Sequence, residues 1–180
     1  MDGTKTKTVT ALRQIGRRDP TARPDPTGWP QSELLSYKLA ILSRLLERGS
    51  EAALARRYGL WLTDCRLLGH LLAKSPRTVR DLAEDMVMDK APISRSASRL
   101  VEKGLLTRAA DPADGRSAVF TLTPEGRETA SFIMSKAQVG QGRYMELLPP
   151  ESCWVLLDAV DTLLDFAKTK LPKDVPPREE

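Results

Sequence analysis

Between Lys90 and Arg99 the chain carries two interleaved sets of residues. Ile93, Ala97, Leu100 and Val101 recur at helical spacing, so on a helix they share a buried face. Lys90, Ser94, Arg95, Ser98 and Arg99 are then left largely on outer faces. This outer set offers cations and hydroxyls with one acid nearby, Glu102, late in the segment. Cations hold phosphate oxygens, and guanidinium and hydroxyl groups hydrogen-bond base edges. The chemistry these types can do at this spacing is recognition of a nucleic acid. The plainer alternative is an ordinary solvated helix face.

A further cation, Arg116, changes that balance. It lies near the tip of Asp111-Pro112-Ala113-Asp114-Gly115-Arg116-Ser117, a turn-rich loop. Leu105 to Ala110 and Ala118 to Leu122 read as the paired strands on either side. A cation on a slim hairpin can enter a narrow minor groove, where negative potential is concentrated. Asp111 and Asp114 would repel phosphate if they faced it. They are read as turn formers, or as partners that orient Arg116 or Arg108.

The elements that must position these groups are legible around them. Thr78 can cap a short helix, with Asp81 three residues on and Leu82, Ala83 and Met86 on one side. Asp89 opens the next helix, and Pro92 sits in its first turn, where a missing N–H costs nothing. Gly104 is its stop. Helix, turn, helix and hairpin in this order make a winged helix-turn-helix, which sets its second helix in the DNA major groove. The candidate DNA-binding set is Lys90, Pro92, Ser94, Arg95, Ser98, Arg99 and Arg116.

Three stretches also carry a resemblance. Leu100-Val101-Glu102-Lys103-Gly104-Leu105, Asp111-Pro112-Ala113-Asp114-Gly115-Arg116 and Leu122-Thr123-Pro124-Glu125-Gly126 stand in the order and spacing of the MarR family of bacterial transcription regulators. Each piece alone is weak; the combination is specific, and the likeness spans roughly Gln31 to Lys170. The resemblance implies an obligate homodimer on a pseudo-palindromic, double-stranded operator. It implies a regulator that is often a repressor released by a small molecule, the effector often lying between dimerisation helices and winged module. Residues placed to line such a crevice are Tyr37, Ile41, Arg44, Trp61, Cys65, His70 and Phe132. An Arg or His beside aromatic and aliphatic walls suits a small aromatic carboxylate. The alternative for these seven is core or plain surface.

The fold class expected is mainly α with a small two- to three-stranded β-wing, a winged helix-turn-helix plus a helical dimerisation region. Residues 1–28 read as a flexible basic, Pro-rich arm that could touch phosphate, pack on a partner or do neither. Residues 29–50 and 124–170 form the dimerisation region, 51–123 the DNA-binding domain and 171–180 a tail. Pro30 opens a helix ending near Gly49, apolar on more than one stripe. Ser50 caps a second helix to Tyr58, with Gly59 as its stop, and Thr63 caps a third, whose core face is Leu67, Leu68, Leu71 and Leu72. After Thr123-Pro124 a long helix runs to about Leu148. A last helix from about Glu151 carries Cys153, Leu157, Val160, Leu164 and Ala167 on a stripe that a partner would have to cover.

Composition sets the outer limits. The 180 residues fit one domain or a compact two-part protomer, with 41% hydrophobic and 29% charged residues. Net charge is +4 and the pI about 9.2, which permits nucleic-acid binding without establishing it. No run approaches a membrane span and no signal-peptide core opens the chain, so a cytoplasmic location is expected, with no membrane partner. Two cysteines and one histidine make neither a disulfide framework nor a structural zinc site, and no metal or cofactor is expected. Some members resembling the family sense peroxide through a cysteine early in the first long helix; none stands there, and Cys65 and Cys153 lie elsewhere. The competing readings are a thiol sensor, a DNA binder without ligand, a winged helix for protein contact, and an enzyme. No phosphate-binding glycine motif, zinc spacing or nucleophile elbow supports the last.

Overall fold

The structure, a computed structural model, describes residues 23–112 and 114–170, without the side chains of 49–57. The basic stretch of the expected arm before Arg23, Ala113 at the wing tip and the expected tail 171–180 lie outside the described residues. A 3-10 turn, Gln31–Glu33, precedes six α-helices and three strands. These are α1 (Leu35–Tyr58), α2 (Leu62–Ala73), β1 (Arg77–Thr78), α3 (Val79–Met86), α4 (Lys90–Glu102), β2 (Leu106–Ala110), β3 (Ala118–Leu122), α5 (Pro124–Met145) and α6 (Pro150–Lys170). The strands form one antiparallel sheet in the order β1-β3-β2. Mainly helical with a three-stranded wing is the fold class expected from the sequence.

The chain divides after Gly49 into two units. In the first, Leu35, Leu39, Ile41, Leu42 and Leu45 of α1 are exposed. The helix does not open at Pro30, because Leu34 is extended and closes only the 3-10 turn. Nor does it end near Gly49: α1 is one helix through Gly49-Ser50 to Tyr58. Glycine costs a helix interior about 1 kcal/mol relative to alanine, which the good helix formers after it can offset. Gly59 is the stop, at φ +59°.

In the second unit the core joins α2, α3, α4, the sheet and the start of α5. Leu67, Leu68 and Leu71 of α2, Leu82 of α3, and Ile93, Ala97 and Leu100 of α4 have no solvent access. Phe120 and Leu122 of β3 and Ala130 and Ile133 of α5 complete it. The α2 N-terminus lies earlier than Thr63 suggests. Trp61 is the cap position, and the Asp64 carboxylate three residues on accepts its backbone N–H at 2.9 Å. Thr78 and Asp81 do form the expected capping box, at 3.1 and 3.0 Å. The Thr78 N–H bond, chiefly, holds the Asp81 carboxyl below the usual carboxylate range. The stability this adds is present above that range and fades as pH falls through it.

Candidate nucleic-acid interface

Helix α4 presents one continuous outer face. Ala91, Ser94, Arg95, Ser98 and Glu102 recur at helical spacing and are exposed, with exposed Lys90 at the first turn. Asp89 occupies the cap position, but its carboxylate makes no capping bond. Pro92 and Arg99 are half-buried along one edge of the helix. The turn into α4 is tight: Val87 caps α3 in the left-handed region at φ 50°, and Met88 N–H donates to Ala83 O at 3.0 Å.

The wing beside it is a five-pair hairpin from Leu106↔Leu122 to Ala110↔Ala118. Its loop holds both acids by hydrogen bonds of its own. Asp114 Oδ1 accepts the Arg116 backbone N–H at 3.1 Å, and Asp111 Oδ2 accepts the Ser117 hydroxyl at 3.0 Å. Both carboxylates serve the turn, while Arg116 is exposed. An Asx-type turn of this kind ties the Asp114 carboxylate to the loop's own backbone.

The wing is anchored at its base where two sequence motifs meet. Thr123 Oγ1 donates to Gly104 O at 2.8 Å and accepts Gly126 N–H at 2.9 Å. Thr123 N–H donates to Leu105 O at 3.1 Å. That carbonyl lies so close to Gly126 that a Cβ built there would stand 1.9 Å from it. The Gly104-Leu105 exit from α4 and the Thr123-Pro124-Glu125-Gly126 start of α5 are therefore one clamp.

Behind α4 lies a polar group that apolar spacing does not reveal. Asp64 of α2 and Ser96 of α4 are fully buried. Asp64 Oδ1 accepts the Ser96 hydroxyl at 2.5 Å and Arg99 Nη2 at 2.7 Å. Arg99, expected among the phosphate-facing cations, has this nitrogen engaged internally and is only partly exposed. A signal existed in the sequence. Ser96 falls on the inner side of α4 between Ile93 and Leu100, where a hydroxyl needs a buried partner.

The seven residues expected around a crevice have different surroundings. Tyr37 and Ile41 line an open groove in the first unit with Ser32, Lys38, Leu42 and Leu45; Arg44 is exposed on the same helix. In the second unit Trp61 is exposed and Cys65 is in the core. His70 Nδ1 stands 3.9 Å from Asp85 Oδ2, which also takes Arg77 Nη2 at 2.5 Å. Phe132 packs on Tyr58, ring centres 5.8 Å apart, with Lys136 Nζ 5.1 Å from its ring.

A winged helix-turn-helix with these surfaces has known relatives. A family model, the MarR family, matches residues 58–117. The uncharacterised helix-turn-helix-type transcriptional regulator YxaD of Bacillus subtilis (strain 168) is 35% identical over 119 residues, 64% of this chain and 78% of that protein. The chain belongs to the MarR family. Its fold is shared with S. aureus MepR, solved in a DNA complex (TM-score 0.67, 19% identity, 73% of this chain and 96% of that one). It is shared too with CouR of Rhodococcus jostii RHA1, solved with p-coumaroyl-CoA (TM-score 0.66, 22% identity, 80% and 98% covered). The protein is thus a MarR-family transcriptional regulator, and that family is one of regulators, not of enzymes. Among the described residues no helix is long and apolar enough to cross a membrane.

The MarR-family chain keeps one thiol out of reach. Burial, and after it the neighbouring Asp64 carboxylate, push the Cys65 thiol up to about 11. A thiol with a raised pKa stabilises the fold below its unfolded value of about 8.5, and that contribution is lost as pH rises toward the folded value. At pH 8 Cys65 is expected to resist a disulfide reagent in the native protein and to react once urea unfolds it, read by peptide mass. Rapid native labelling of Cys65 would contradict its placement in the core.

Proposed function

We propose that the protein is a homodimeric, sequence-specific repressor that acts in the cytoplasm on a pseudo-palindromic operator and is released by a small ligand. The observation that carries the DNA reading is the outer face of α4. Ser94, Arg95 and Ser98 project together from it, Lys90 adds a cation at its start, and Arg116 leaves the wing outward. In this reading Ser94, Arg95 and Ser98 enter the major groove and Arg116 the minor groove. Lys90 holds phosphate from the first turn. Pro92 borders the groove, and Arg99 has a smaller share in phosphate binding because Asp64 engages it. MepR, of the same fold, was solved with DNA.

The dimer reading has its own support. No residue of α6 is buried within the chain, although Trp154, Val155, Leu156, Leu157, Leu163, Leu164 and Phe166 lie along it, Trp154 at 73% exposure. Covering apolar surface is worth about 25 cal/mol per Å², so a second copy is the natural occupant. Two copies about a two-fold axis read half-sites about one helical turn apart. Leu157→Glu combined with Leu164→Glu is expected to yield monomers in sedimentation; an unchanged dimer would move the interface elsewhere.

The ligand reading rests on CouR, a protein of the same fold solved with p-coumaroyl-CoA, and the ligand class proposed is an aromatic carboxylate or a related compound. The raised Cys65 thiol weighs against thiol sensing at that position.

The test is binding to a fragment from upstream of the protein's own gene, against a scrambled fragment, at two salt concentrations. Specific binding with a steep salt slope is expected, lowered by small aromatic acids. Equal weak binding to this fragment, and no fragment enriched in a genome-wide selection, would refute the reading. Arg116→Ala should weaken operator binding and flatten the salt slope by about one, with the dimer intact. Unchanged affinity at equal salt would remove the wing from the mechanism.

A further inference from the structure

The core holds α4 by two kinds of contact. Ile93, Ala97 and Leu100 are buried apolar contacts, and such packing is non-directional. The bonds to Asp64 are directional. Its carboxylate is fully buried on α2 and is itself fixed by the Trp61 N–H at 2.9 Å. From there it takes Ser96 at 2.5 Å and Arg99 at 2.7 Å, residues three apart on one edge of α4. Two bonds from one immobile acceptor group to successive turns oppose both rotation and sliding of that helix.

Rotation is what DNA reading tolerates least. A helix with its side chains is about 10–12 Å across, so turning it by about 10° carries an outer atom by about 1 Å. Hydrogen bonds to base edges do not survive that error with good geometry. We propose that Asp64 is a positioning residue for base recognition: through Ser96 and Arg99 it fixes the rotation at which α4 presents Ser94, Arg95 and Ser98. Asp64 never touches the nucleic acid. Arg99 serves this brace first and phosphate second. The inference rests on the proposal that α4 reads DNA.

Asp64→Asn keeps the size and removes the charge that holds Arg99. At a temperature where it is folded by circular dichroism, its operator affinity should fall by about tenfold or more, the scale of one lost bidentate base contact. Its affinity for scrambled DNA should stay at the wild-type value, so the specificity ratio falls. A structural role alone would not separate those two affinities in folded protein. Ser96→Ala, which removes a single bond, should move the ratio in the same direction by less, and it carries the test if Asp64→Asn does not fold. Arg95→Ala serves as the control. If it loses specificity while both Asp64→Asn and Ser96→Ala retain it, the brace is refuted and the DNA reading stands. If Asp64→Asn binds all DNA more tightly with a steeper salt slope, Asp64 restrains a phosphate-binding Arg99 and the proposal is overturned. If the wild type shows no specific binding to any fragment, the DNA reading fails and the brace with it.

Discussion

Gly126→Ala is expected to destabilise the protein by about 3 kcal/mol, the upper end of what overpacking costs. For a chain of this size that lowers the melting temperature by roughly 6–12 °C. The reason is a single contact. A Cβ at Gly126 would stand 1.9 Å from Leu105 O and 2.8 Å from its carbonyl carbon. Both are backbone atoms, so no rotamer change relieves the overlap. The carbonyl cannot withdraw freely either, because it accepts the Thr123 N–H, and Thr123 also holds Gly104 and caps α5. The helix or the wing base must shift, and the hairpin that carries Arg116 shifts with it. Gly140 supplies the comparison. It lies inside α5 with nothing within 4 Å of its Cβ position, so Gly140→Ala should be neutral or stabilise by about 0.5–1 kcal/mol. Urea unfolding of the two variants measures the contrast. Equal stabilities would mean that α5 does not approach Leu105 as closely as described.

Arg95→Ala is expected to cost about 1–3 kcal/mol of operator affinity per half-site, or roughly 5- to 150-fold. Arg95 is exposed in the middle of the outer face of α4, flanked by Ser94 and Ser98. The hydrogen bonds to buried Asp64 come from Ser96 and Arg99 on another edge of the helix. Its removal should leave the melting temperature within about 1 °C of wild type, as for a surface change away from packing. The distribution of the loss identifies the contact. A penalty confined to sequences with one base at one position in each half-site marks a bidentate base contact. A uniform loss across operator and scrambled DNA, with a flatter salt slope, would instead assign Arg95 to phosphate.

The elements near the wing were legible because each is written in local chemistry. Thr78 with Asp81 forms its capping box, Gly104 ends α4 at φ +71°, and Thr123-Pro124 starts α5. Apolar spacing placed Ile93, Ala97 and Leu100 in the core with the outer residues opposite them. Boundaries that depend on competing local preferences were less legible. Gly49-Ser50 reads as a stop and a start, yet α1 continues through it, since a glycine weakens a helix without ending it. Thr63 is a better capping type than Trp61, but Asp64 can serve as a third-position acceptor only from the earlier start.

The sequence by itself determined the fold class, the outer face of α4 and the exposed cation of the wing. These follow from periodicity and turn chemistry, which act over a few residues. The tertiary structure decided three other matters. It bound Asp111 and Asp114 to groups of their own loop. It showed that Gly126 is required by the passage of Leu105, 21 positions earlier, against the start of α5. It joined Asp64 to Ser96 and Arg99 across 32 and 35 positions, so that one nitrogen of Arg99 is engaged inside the protein. The last two depend on which distant backbone or side chain arrives at a buried site, and no local pattern encodes that arrival.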